Sequence, residues 1–253
     1  MRIENLTERD YEILKHLSYG PSNIISIGNK YFKKHRDSKV FSKYAWKRLM
    51  QLQQCGLIQY KKVDRHVSPI VVLQKLGRDE AALKYDLEIE SMNYGFPGSF
   101  ELMHQLMVAS TIRKMVEEAE IHRLYKIDYI HAEHFARRLT GKRRFFPDFR
   151  LRIVPYRGDA QTFDVEVDAA NLGRSVIFEK IASFRNHVLV VTPNGERLRR
   201  LFQYLQSDMT RKQAKLPPVC FVPWPHFLAN GCRFSEVIQF PSGNRGVLPI
   251  AMK

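Results

Sequence analysis

The stretch FDVEVD, residues 163–168, alternates strictly between apolar and acidic side chains. Only an extended strand puts alternate residues on one face; a helix would scatter both sets around its axis. Asp164, Glu166 and Asp168 then line one face, and Phe163, Val165 and Val167, all good strand formers, line the other. Three carboxylates side by side repel unless something offsets them. The sequence leaves two offsets open. One is a bound hard cation. The other is a solvated strand face whose acids pair with Arg150 and Arg152 on a neighbouring strand, the ordinary pattern of an antiparallel sheet.

The charge of the whole chain sharpens the contrast. Among 253 residues, Lys and Arg exceed Asp and Glu by 41 − 26 = 15. An excess of that size argues for a polyanionic partner, nucleic acid before membrane. No apolar run is long enough to span a bilayer and no signal-peptide pattern opens the chain, so a cytoplasmic protein is expected. Cys55, Cys220 and Cys232 show neither a paired framework nor a zinc spacing and read as reduced thiols. The length suits one large domain or two modest ones.

The first third reads as three helices and a hairpin. Thr7 and Asp10 make a variant capping box ahead of the stripe Tyr11, Ile13, Leu14, Leu17, and Gly20-Pro21 ends that helix. Ser22 is the expected cap of a second helix reaching Phe32. Asp37 or Ser38 caps a third, whose inward face is Ala45, Leu49 and Leu52 and whose outward face carries Lys43, Tyr44, Lys47 and Gln51. Two strands follow, LIQYKKV and PIVVLQKL, joined by DRHVS. This order is that of a winged helix-turn-helix. In that fold the third helix enters the major groove and the hairpin touches the adjoining backbone. Lys61, Lys62, Arg65 and His66 then stand on the wing, facing phosphate. The domain is placed at residues 1–90. A short helix, GRDEAALKYD, and a turn-rich joint, NYGFPGS, lead to a boundary at Gly98 or Ser99.

Residues 98–253 read as an α/β domain: a long helix from Ser99, strands in IHRLYKIDYI, FFPDFRLRIV and TFDVEVD, a helix in SVIFEKIASFR, a buried strand HVLVVTP, a helix ERLRRLFQYLQ and a strand PVCFVPW. The expected class is α+β overall, with a mixed sheet flanked by helices in the second domain. His104 on the long helix is a structural histidine. His131 and His134 in HAEH have a metal spacing but no further ligands, which argues against zinc, and Trp224 between two prolines is a packing anchor. No phosphate-binding glycine loop, nucleophilic Ser or Cys constellation or dinucleotide fingerprint occurs.

FFPDFRL followed by FDVEVD resembles the Pro-Asp … (Asp/Glu)-x-Lys nuclease fold of restriction endonucleases and related DNA enzymes. That resemblance implies a magnesium or manganese ion held by acids on two adjacent strands, here Asp148 and Glu166, with Asp168 beside them and the Val167 carbonyl contributing. Asp168 stands where the family's lysine would be, so Asp168→Lys would restore the usual arrangement. Some members carry the basic residue on the following helix, and Lys180 is the candidate there. Arg143 and Arg144, with Arg150 and Arg152, would draw DNA to the acids. The order of the whole chain, from LTERDYEILKHL through LMQLQQCGLI and PDFRL to EVD, is similar to the replication-relaxation family of plasmids and mobile elements. It implies duplex DNA as partner, with a second copy of the chain or other DNA-processing proteins of the element beside it. The expected function is a metal-dependent DNA endonuclease or nickase in replication, relaxation or mobilisation. The alternative is a non-catalytic DNA-binding accessory or transcriptional regulator with a degenerate nuclease-like domain.

Overall fold

The structure, a computed structural model, describes residues 6–32, 38–62, 68–87, 92–96, 101–122, 125–133, 145–155, 159–168, 173–213, 215–224, 237–243 and 245–246. The chain mixes helices with two sheets and divides into two units, Met1–Ser110 and Thr111–Lys253. Arg65, His66, His134, Arg143, Arg144 and Cys232 lie outside the described residues. Among the described residues no helix is long and apolar enough to cross a membrane.

In the first unit, helix α1 (Glu8–Ser18) begins in the capping box read from the sequence. The Thr7 side chain accepts from the Asp10 N–H, and the Asp10 carboxylate accepts from the Thr7 N–H at 2.7 Å. That carboxylate has a second duty. Arg48 of α3 (Ser38–Gln54) donates through Nε to Asp10 Oδ1 at 2.8 Å and through Nη2 to Oδ2, so α1 and α3 are clamped through a fully buried acid. Between them run strand β1 (Ser22–Asn23) and helix α2 (Ile24–Tyr31). Asn23, not Ser22, caps α2, its Oδ1 accepting from the Ser26 N–H at 2.7 Å. The Ser22 hydroxyl is committed to the buried His16 Nε2, 3.1 Å away, and its backbone pairs with Val71.

Strands β2 (Ile58–Lys61) and β3 (Ile70–Leu73) complete an antiparallel sheet of order β1-β3-β2. The middle strand, IVVL, is buried on both faces. Ile13, Leu14, Leu17, Ile27, Leu49 and Leu52 pack with Val71 and Leu73 into one core. Helix α4 (Lys75–Tyr85) starts sooner than the sequence suggested and takes Lys75 and Leu76 from the expected strand. Gly77 permits this turn, because a Cβ there would come within 2.1 Å of the Leu57 carbonyl oxygen. Helix α4 is then tied to α1 by Tyr85 to Glu12, 2.6 Å, and Lys84 to Glu8, 2.9 Å. The boundary expected at Gly98–Ser99 falls instead at Ser110, inside α5 (Leu102–His122). The reason is packing: Leu102 and Leu106, on its first turns, lie against Ile70, Val72 and Phe96.

The second unit holds a seven-stranded sheet of order β10-β9-β8-β7-β6-β5-β4. Strands β4 (Tyr125–Ala132), β5 (Phe149–Pro155) and β6 (Gln161–Val167) form an antiparallel meander. Helices α6 (Arg174–Ala182) and α7 (Gly195–Lys212) then carry the crossovers that parallel pairing requires, from β6 to β7 (His187–Thr192) and on to β8 (Val219–Pro223). Strands β9 (Val237–Phe240) and β10 (Arg245–Gly246) return antiparallel. Ile177, Phe178 and Ile181 of α6 and Leu198, Leu201 and Leu205 of α7 pack on Val188, Val190, Val219 and Phe221. Asp164 is paired in register with Val188 and Glu166 with Val190. The acids of β6 therefore project to the helix-covered side of the sheet, so the alternative of a solvated strand face is not what the structure has.

The clamp at Asp10 yields a stability prediction. Burial pushes the Asp10 carboxyl up, but Arg48 and Thr7 outweigh burial and hold it below its ordinary 3.8. A folded pKa below the unfolded one stabilises fully above the unfolded value, and that contribution is lost as pH falls through the folded value. Arg48→Ala is expected to cost about 1.5–3 kcal/mol at neutral pH, the range for a charged hydrogen bond, measured by denaturant unfolding. Asp10→Asn should lower stability at neutral pH and narrow its gap to the wild type below about pH 4.

Candidate functional site

Residues 163–167 of β6 and Asp168 just after it are all buried, and Asp164, Glu166 and Asp168 are each at most 1 % exposed. A buried carboxylate is tolerated only when paired and hydrogen-bonded. Each of the three meets a different cation from a different element. Arg150 of β5 donates through Nε to Asp164 Oδ1 at 2.7 Å, and Asn186 reaches its other oxygen at 3.0 Å. Lys180 of α6 places Nζ 2.5 Å from Glu166 Oε1. Arg197 of α7 grips Asp168 with both Nε, 2.5 Å, and Nη2, 3.1 Å. Arg152, the other expected partner, lies 3.3 Å from Asp128 instead. It shares the face of Arg150 but lies two residues further along β5, in register with Thr162, and alternates with the buried Leu151 and Ile153.

Asp148 joins this system from the next strand. It precedes β5, yet its N–H donates to Val165 O at 3.0 Å and its carbonyl accepts from Glu133 N–H at 3.1 Å, so it is held in the ladder on both sides. Pro147 just before it has no N–H to place. The Asp148 side chain is oriented by a buried bond, Oδ2 accepting from Val167 N–H at 2.7 Å. Its other oxygen, Oδ1, is 3.7 Å from Lys180 Nζ. Asp148 and Glu166 thus converge on one ammonium group. Burial pulls the Lys180 pKa down, but the charges of Asp148 and Glu166, with that of Glu133, more than reverse this and raise it. Lys180 is a cation in this arrangement.

Of the residues expected at the site, Asp148, Glu166 and Lys180 are brought together. Asp168 is not part of that group: Arg197 holds it one step further along the strand, and among the described residues no cluster of three His, Cys, Asp or Glu side chains forms a metal-binding group. Arg150 is committed to Asp164, so it is a structural cation rather than a DNA contact. His131 of β4 stacks on Tyr129 with ring centroids 4.1 Å apart. Three residues were missed in the sequence: Asn186, Arg197 and Glu133. Once the acids are known to be buried a cation is required for each, and ERLRR offers several, but the sequence alone does not show the burial.

Of the residues expected to face DNA from the first unit, five are described. Lys43, Tyr44 and Lys47 are exposed on α3, and Lys61 and Lys62 are exposed at the end of β2. Cys55 and Cys220 are free thiols, and burial pushes Cys220 up to about 11, which makes it inert. In comparisons with known proteins, no family model, no curated protein and no solved structure matches this chain.

The geometry reverses one expectation about Asp168. Asp168→Lys restores the family arrangement on paper, but here it would set a second buried cation against Arg197. It is expected to destabilise the second unit more than Asp168→Asn does, by several degrees in melting temperature. Arg197→Ala should cost about 3–5 kcal/mol, because it strands a buried carboxylate. Melting curves of the three variants check both statements.

Proposed function

We propose that the chain is a duplex-DNA-binding protein whose second unit carries a nuclease-derived site, acting as a metal-dependent endonuclease or nickase of the replication-relaxation type. The observation that carries this reading is the convergence of Asp148 and Glu166, from adjacent strands, on Lys180 of the following helix. The element order supports it: helix α5, the meander β4-β5-β6, then α6, β7 and α7, with the two acids at neighbouring strand ends. The first unit supports it as well. Its order α1-β1-α2-α3-β2-β3 with a three-stranded antiparallel sheet is compatible with a winged helix, and exposed lysines sit on the third helix and at the end of β2.

The donor set fits a hard divalent cation. Magnesium takes one or two carboxylates and completes its shell with water and phosphate. Asp148, through Oδ1, and Glu166 would hold it, since both already face one cation position. A magnesium or manganese ion bound there would offset the phosphate charge and lower the pKa of a water. The remaining work falls to the chain. The Val167 N–H fixes the Asp148 carboxylate so that Oδ1 faces the site. Lys180, protonated and within reach of both acids, balances charge on a phosphate and orients the attacking water. Arg197 keeps the Asp168 charge out of the reaction.

A second reading has its own observation. Glu166 is already neutralised by Lys180 at 2.5 Å, as a purely structural ion pair would be. On that reading the protein is a DNA-binding accessory or regulator.

Plasmid cleavage separates the two. The wild type is expected to nick or cut supercoiled DNA with Mg²⁺ or Mn²⁺, and EDTA should stop it. Asp148→Ala and Glu166→Ala should abolish cleavage while retaining DNA binding, and Lys180→Ala should slow it by on the order of 10²-fold or more. A wild type inert with both metals on every DNA form, with no Mn²⁺ binding by calorimetry, gives the accessory reading. For the first unit, Lys61→Ala and Lys62→Ala should each lower the log–log salt slope of duplex binding by about 0.9.

A further inference from the structure

Trp46 was not among the residues that the sequence singled out, yet with Tyr44 it is one of two exposed aromatic residues that border the lysines of α3. At about 3.6 residues per turn, positions three and four apart are neighbours on a helix surface. Lys43 and Trp46 are three apart and Lys43 and Lys47 four apart, so Trp46 lies in one patch with both lysines. Tyr44, three before Lys47, borders the same lysines from the other side, next to Arg48. Trp46 is 40 % exposed. A single exposed apolar side chain is ordinary. This one is also held in place. Its ring meets Tyr60 of β2 edge-on, with centroids 4.9 Å apart. Tyr60 is in turn latched to α3, its N–H donating to Gln53 Oε1 at 2.9 Å. The outcome is a rigid indole, presented among cations, on the helix that would enter a groove.

We infer that Trp46 reads sequence by apolar contact with the 5-methyl group of a thymine in the major groove, while Lys43 and Lys47 engage flanking phosphates. The inference rests on the DNA-binding reading and deepens it. The chemistry is specific. The thymine methyl is the one apolar feature of the major-groove edge, and apolar side chains are what recognise it. A Trp held in advance makes that contact at little cost in side-chain entropy. The cations alone would bind any duplex, since phosphate contacts carry no sequence information.

The test uses the full chain. A preferred duplex is first selected from a randomised pool, and each thymine in it is then replaced singly by deoxyuridine, which removes only the methyl group. One position is expected to lose about fourfold in affinity, the equivalent of one buried methyl. In Trp46→Ala that penalty should vanish while the salt slope is unchanged. Should Trp46→Ala fold poorly, Trp46→Phe and the wild-type scan still decide. So does the emission of Trp46 in a Trp224→Phe background, which the selected duplex should quench more than its deoxyuridine version. Tight duplex binding with a flat scan, or a penalty that persists in Trp46→Ala, overturns the inference and leaves DNA binding standing. No duplex binding even at low salt overturns both.

Discussion

The second unit depends on keeping a row of acids inside it. Strand β6 places Asp164, Glu166 and Asp168 on the side of the sheet that α6 and α7 cover, where an unpaired carboxylate would be far too costly. Each acid therefore fixes a neighbour. Asp164 fixes β5 through Arg150, Glu166 fixes α6 through Lys180, and Asp168 fixes the first turn of α7 through Arg197. The two crossover helices cannot slide along the sheet without breaking a buried ion pair, in addition to repacking Ile177, Ile181, Leu198 and Leu201. Hydrophobic contact holds the helices down, and the ion pairs set their register. The same logic recurs on α7, where buried Asp208 takes Arg174 from α6 at 2.7 Å. The first unit uses it once more, with Asp10 and Arg48 between α1 and α3.

This explains what could be read from the sequence and what could not. The alternation in FDVEVD identified a strand correctly, because a period of two is a local property of the backbone. It could not reveal that both faces are covered. Burial is decided by α6 and α7, and nothing in residues 163–168 distinguishes a wet acidic face from a buried one. The cations were visible as residues but not as partners: Arg150 is close in the chain, whereas Lys180 and Arg197 come from elements placed only by tertiary packing. Lys180 was reached by resemblance rather than by spacing. Most of the helix and strand order was legible as far as β8, but the short β1 and the returning strands β9 and β10 were not read, and element ends were less legible still. Ser22 lost its capping role to Asn23 because a buried histidine claimed its hydroxyl, and α5 began inside the first unit because Leu102 and Leu106 found apolar partners on β3.

Helix α3 shows a different division of labour. Ala45, Leu49 and Leu52 face the core, and Arg48 at the margin is consumed by Asp10. The exposed residues among those described include Lys43, Tyr44, Trp46 and Lys47. Arg48 illustrates why a count of basic residues is a poor guide to a nucleic-acid surface. Several of the strongest cations in this chain, including Arg48, Arg150 and Arg197, are spent internally on buried acids. On α3 and at the end of β2 the exposed cations among the described residues are lysines, Lys43, Lys47, Lys61 and Lys62.

That internal spending bears on the aspartate at position 168. The resemblance implies a lysine there, and the chain has an acid. In the structure the charge of Asp168 is met by Arg197 of α7, while Lys180 of α6 lies between Asp148 and Glu166. The cations for these buried acids therefore come from the two crossover helices and not from the strand itself. The arrangement holds only when both helices are in register, so replacing Lys180 or Arg197 singly strands a buried carboxylate.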